Sequence, residues 1–239
     1  MGFFKSLLKT FSTAKYRRNP DGSTLSIQER TALNVGAINA EQTMSFCDTL
    51  TTGNERDSLR EKLNDYYGIS DRNSAIELLH WLIETGHSLA FFLIKDHVAS
   101  AGAKPIDTEE LDEDALESLK SFVENLQACM DSLKKTGWIT DAQSIAQMDI
   151  RAWDLGRAVL VTRAAYDCGY LSEEEAWNII MPIYENVREH YESWHQLAAS
   201  YMVGRAMWGG DDFMFTGLSN IAEGLLTDEQ SPWVELALK

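Results

Sequence analysis

WDLGRAVLVTRAAYDCGYLSEEEAW, residues 153–177, sets Trp, Asp, Gly and Arg within five positions, continues through apolar residues, stops at Gly169 and restarts after Ser172. Asp154 and Arg157 are three apart, so on a helix they share a face beside Trp153, Leu160, Val161 and Ala164. The Gly closes one helix, the Ser caps the next, and the acids at 173–175 meet its dipole. The same phrase returns as GISD at 68–71 and GWITD at 137–141. Each reads as a helix-to-helix corner.

Between these corners, apolar residues recur at intervals of three and four, as in Ile76, Leu79 and Ile83 or Leu116, Leu119, Val123 and Leu126, and period-two alternation is scarce. The chain therefore reads as all-α: a compact multi-helix bundle with an additional N-terminal amphipathic helix. Helices are predicted near 27–50, 55–66, 72–85, 88–101, 109–136, 141–167, 173–190 and 194–208. A kink is expected at Pro182, which removes a backbone donor. Residues 1–22 form a basic amphipathic segment, 23–104 an N-terminal helical half and 105–239 a C-terminal half packed with it, the link ASAGAKP marking the boundary.

With 239 residues, 44% of them hydrophobic, the chain can bury a substantial core. Its net charge of -16 repels phosphate backbones and anionic lipid, which argues against nucleic-acid binding. Three separated cysteines form neither a disulfide framework nor a metal knuckle and suit a reducing cytoplasm. The first 18 residues depart from this acidity: they hold five basic side chains and no acid, which leaves -21 on the remainder. On a helix Phe3, Phe4, Leu7, Leu8 and Phe11 form one stripe, suited to docking on the acidic body, on another subunit or on a membrane surface. MGFFKS also fits the short myristoylation pattern at Gly2.

No self-sufficient catalytic motif emerges. GHSLA at 86–90 imitates a nucleophile elbow, but a helical segment precedes it where the elbow needs a strand. Gly86 then reads as a helix C-cap and Ser88 as the next N-cap. The five histidines include no metal-binding pair at helical spacing, the acidic run 107–117 lacks the alternation and Gly of a calcium loop, and no phosphate-cradling Gly loop is present. We therefore assign no metal and no cofactor. Trp194, Gly204, Arg205 and Trp208 repeat the ingredients of the 153–157 cluster. Gly156 and Gly204 would let helices approach closely, while a guanidinium stacks on indole. Trp153, Asp154, Arg157, Trp177, Trp194 and Arg205 are expected to form one buried network, with Glu175 and Trp208 in the same motif set.

YYGISDRNSAIELLHWLIETGH, WDLGRAVLVTRAAYDCGYLSEEEAW and YESWHQLAASYMVGRAMW together resemble the bacterial domain of unknown function 1266 (YbeU/YbeR-like) family. The resemblance covers about residues 60–210. It rests on Gly68, Ile69, Trp81, Leu82, Gly86 and His87, on Trp153, Asp154 and Arg157, on Gly169, Tyr170, Glu175, Ala176 and Trp177, and on Ser193, Trp194, Gly204, Arg205 and Trp208. It implies a bacterial source and a helical domain, and it brings no established activity.

Two functional classes remain. The favoured one is an acidic binding protein, such as an immunity protein that covers the active site of a basic toxin, because blocking needs charge and shape but no chemistry. Its contacts would come from Asp107, Glu109, Glu110, Asp112, Glu113 and Asp114, or from Asp211 and Asp212. The alternative is a hydrolase or transferase with Asp154, Glu175, His190 and Arg205 converging in a cleft. A membrane-associated regulatory scaffold is a further alternative.

Overall fold

The corners at 68–71, 137–141 and 169–173 turn the chain as their residues require. Gly68, Gly137 and Gly169 all take positive φ, and the amides of Ile69, Trp138 and Tyr170 reach back to the carbonyls of Leu63, Leu133 and Ala165, closing the preceding helices. The next segments then start from Asp71, Asp141 and Ser172, each in a capping box. Ser70 and Thr140 do not cap; the acid after each does, because Ser74 and Ser144 reply from the third position.

The computed structural model describes residues 16–109, 111–211 and 213–239, and the expected helix within residues 1–15 lies outside them. Regular structure among the described residues is entirely helical: α1 (Ile27–Leu33), α2 (Ala37–Gln42), α3 (Arg56–Tyr67), α4 (Arg72–Glu84), α5 (Ser88–Ala99), α6 (Glu113–Lys135), α7 (Arg151–Asp167), α8 (Glu173–His190), α9 (Trp194–Gly209), α10 (Phe213–Thr227) and α11 (Pro232–Glu235). Short 3-10 turns occupy Asn34–Gly36 and Ala142–Gln147. No described helix is long and apolar enough to cross a membrane.

Several predicted boundaries need correction. The helix expected over 27–50 breaks at Asn34–Gly36, where the Asn34 carbonyl accepts from Trp233, and ends at Gln42; beyond it the carbonyls of Phe46, Thr49, Leu50 and Thr51 turn toward Arg163 on α7. The helix expected from 141 is a 3-10 turn up to Gln147, and extended Met148 separates it from α7. Asp112 caps α6, so that helix begins at 113 rather than 109. His87, not Ser88, is the N-cap residue of α5; its side chain makes no capping hydrogen bond, and its amide donates to Asp154. Pro182 lies within α8, which continues through it. Two helices, α10 and α11, were not predicted.

The core is built around α7 and α9, which are buried on nearly all sides and pack against each other. α4 and α8 also cover α7, and α6 covers α9. Gly204 permits the α7–α9 approach: a Cβ there would lie 2.4 Å from Cβ of Trp153, so only hydrogen fits. Gly156 instead faces Asn39, Tyr201 and the Val35 carbonyl. Residues of both expected halves join one apolar cluster, including Leu33, Leu79, Leu126, Leu155 and Leu225.

The first and last of the described segments meet at Glu235, which accepts hydrogen bonds from Arg18 at 2.7 Å and Arg30 at 2.8 Å. Partial burial pushes this carboxyl up, but the two guanidiniums outweigh it and hold the group below its ordinary range. The folded state thus binds this proton less readily than the unfolded chain. The clasp stabilises above the unfolded Glu value of about 4.3 and is lost as pH falls through the lower folded value. Urea midpoints of wild type and Glu235→Gln should therefore differ at neutral pH and converge in acid. A constant gap down to pH ~3 would contradict this assignment.

Candidate functional site

α7 starts without a side-chain cap from Ile150, and the amides of its first turn find partners elsewhere. Asp149 Oδ1 accepts from the Arg151 amide at 3.0 Å and from the Tyr191 hydroxyl, while Ser200 donates to it at 3.2 Å. The Ala152 amide reaches both Tyr191 Oη and Ser200 Oγ. Burial, then the adjacent Asp149 charge, pushes the Tyr191 phenol far up. It stays a neutral donor that joins α8 and α9 to the α7 start.

One turn further on, Asp154 is 1% exposed. Its Oδ2 accepts the His87 amide at 2.7 Å; its Oδ1 lies 2.8 Å from His87 Nδ1 and accepts from Arg157 at 2.5 Å. Gly86 permits this approach: it takes φ +51, and a Cβ there would fall 2.3 Å from Oδ2. The Gly-His that ends the α4 corner is thus tied to the Trp-Asp-x-x-Arg of α7.

Aromatic rings surround these ties. The Arg157 guanidinium lies 4.5 Å above Trp153, whose ring meets Tyr201 edge-on at 5.1 Å and Trp208 at 6.0 Å. Arg205 stacks over Trp208 at 5.9 Å. His87 meets Trp81 and Phe122 edge-on. Asn39 donates to the Tyr201 hydroxyl at 2.9 Å, and burial pushes that phenol well up. Both oxygens of Asp154 are engaged and the carboxylate is sealed from solvent. This is the geometry of a fastening between α4, α7 and the α5 start.

The other expected members stand apart. Glu175, in the first turn of α8, pairs with Arg72 and accepts the Ser172 amide; it follows the end of α7 at Asp167, and that end is about 20 Å along α7 from Asp154 at 1.5 Å per residue. The two hydrogen bonds hold its carboxyl below the ordinary range. His190 is exposed and bonds the Asn186 carbonyl within its own helix. The convergent cleft of Asp154, Glu175, His190 and Arg205 is therefore not formed. Trp194 stacks on Trp233 at 5.2 Å and donates to the Leu236 carbonyl, fastening the C-terminus instead. Trp177 packs half-buried on the core. The single expected network is split: Trp153, Asp154, Arg157, Arg205 and Trp208 lie together, without Trp177, Trp194 and Glu175.

Those of the expected partner-binding residues that the structure describes lie at the surface. Asp107, Glu109, Asp112, Glu113 and Asp114 are exposed. Asp112 spends one oxygen capping α6, and Asp107 accepts the Glu109 amide. Asp211 is exposed and accepts from Ser132. Glu110 and Asp212 lie outside the described residues. Among the described residues, no group of three His, Cys, Asp or Glu side chains is gathered as a metal site requires.

Sequence reasoning missed three groups: His87 as the partner of Asp154, the Asp149–Tyr191–Ser200 set, and Arg163. Arg163 is 1% exposed and donates to the carbonyls of Phe46, Thr49, Leu50 and Thr51, while Asp167 one turn later accepts the Thr52 amide and hydroxyl.

The fold and its central cluster define a helical domain fastened by a Gly-His/Trp-Asp-x-x-Arg lock. The chain belongs to the family described as "Protein of unknown function (DUF1266)", which matches residues 62–238. The match runs past the 210 expected from sequence and takes in most of the terminal PWVELALK, whose Trp233 packs against Trp194. The chain is similar to the uncharacterized protein YbeR of Escherichia coli (strain K12), 28% identical over 148 residues, covering 61% of this chain and 56% of that protein. It thus spans just over half the length of that relative. No solved structure shows a significant match.

Proposed function

We propose that this chain is a non-enzymatic binding protein whose acidic face engages a basic protein partner, and that it acts as an immunity protein by covering the active site of a bacterial toxin. The observation that carries this reading is the state of Asp107, Glu109, Asp112, Glu113 and Asp114. All are exposed, and among the described residues none forms an ion pair with a cation of this chain. Their field is therefore available to an outside partner, in a chain whose net charge is already -16. The residues of the enzymatic alternative, by contrast, have separate partners.

Purification from the native host with its neighbouring genes intact identifies what co-elutes. Association of that partner is then timed from about 0.1 M to about 1 M salt, across which the Debye length shrinks from about 10 Å to about 3 Å. Electrostatic steering requires the rate to fall at least about tenfold over this range. A partner that associates equally fast at both ends would contradict the assignment of this face.

A further inference from the structure

Beside the acidic segment an open groove of about 380 Å³ runs between the end of α5, residues 106–108 and the first half of α6. Its apolar lining comes from Ile106, Leu116, Leu119 and Val123, with His97 and Lys120 as its basic members. Leu116, Leu119 and Val123 sit at spacings of three and four on one face of α6, so they form a continuous stripe. Carboxylates lie close to this lining along the chain. Asp107 and Glu109 flank lining residues, Asp112 and Glu113 precede Leu116 by one turn, and Glu124 lies in the lining itself.

We propose that this groove seats a cationic amphipathic helix of the partner, its apolar side chains on the α6 stripe and its Lys or Arg on the bordering carboxylates. The inference rests on the reading of the acidic face given above. Charge decides the occupant: Glu124 in the lining and the four exposed carboxylates within four residues of lining positions outnumber Lys120 and His97, so their summed field repels phosphate groups and anionic lipid and attracts a basic peptide. The apolar floor adds what simple charge pairing lacks, since helix-in-groove recognition draws on anchors spaced at i, i+3, i+4 and i+7.

The test uses the full chain and two synthetic probes of equal charge: a Leu/Lys amphipathic helical peptide and an oligolysine. Affinities are measured by calorimetry for wild type, Leu116→Ser and Thr108→Trp; the last fills the groove from an exposed position and spares the core. Wild type should bind the amphipathic peptide at least about tenfold tighter than oligolysine, and both variants should remove most of that advantage while leaving oligolysine binding unchanged. If oligolysine binds and the amphipathic peptide binds no better, the groove assignment fails while the acidic face stands. An advantage that survives both variants also overturns the groove. If neither probe binds, the reading of the acidic face falls with it.

Discussion

Arg157→Ala is expected to destabilise the protein by about 3–5 kcal/mol, as removal of one member of a buried ion pair does. The side chains of Arg157 and Asp154 are 12% and 2% exposed, so water cannot replace the lost guanidinium at the carboxylate. The substitution also strips the stacked cation from Trp153. At the size of this chain, the loss corresponds to a fall in Tm of roughly 6–20 °C. Arg157→Lys should recover only part of it, because an ammonium neither stacks nor forks as a guanidinium does. Calorimetry decides the matter: a reaction-centre role for Arg157 predicts a melting temperature near wild type, and that result would sink the fastening assigned to Asp154, His87 and Arg157.

Arg163→Ala is expected to cost at least about 3 kcal/mol, by a different route. No carboxylate among the described residues bonds this guanidinium; its hydrogen bonds go to the carbonyls of Phe46, Thr49, Leu50 and Thr51. Complete burial pulls its pKa down to about 10, which leaves it protonated at neutral pH. Removing it strands those carbonyls and opens a cavity, and both effects destabilise. Arg163→Met separates them, since it restores volume without donors. If the carbonyl ties dominate, Met should recover less than half of the loss, and amides of residues 46–52 should lose protection from hydrogen exchange in both variants. Full recovery by Met would reassign Arg163 to packing alone.

These two arginines also show what the sequence could disclose. Helices α3, α4, α8 and α9 were legible to within a residue or so, because apolar spacing, Gly stops and polar caps are local signals. The break after Leu33 was not, since the carbonyl at Asn34 is met by Trp233, a side chain almost two hundred residues later. The Asp154–His87 tie spans 67 positions, and Gly86 carried only its local meaning as a helix stop. A signal existed for α10, where Phe215, Leu218, Ala222 and Leu225 keep helical spacing, and for α11, where Ser231 precedes Pro232. For Glu175 and His190, shared residue type gave no information about distance along the helices that carry them.

The exposed carboxylates differ from the lock in one respect that makes them testable: they can be reversed without disturbing the core. In the proposed binding role they, rather than the buried Trp–Asp–Arg cluster, meet the partner. The decisive measurement is the affinity of the co-purified partner for a variant with Asp107, Glu109, Asp112 and Glu113 changed to Lys, compared with wild type at about 0.1 M salt, where the Debye length is about 10 Å. Because Asp112 also caps α6, circular dichroism must first show that the helical fold is retained. The folded variant should lose at least about a hundredfold in affinity, largely through slower association. Wild-type affinity in the folded, charge-reversed protein would contradict that role.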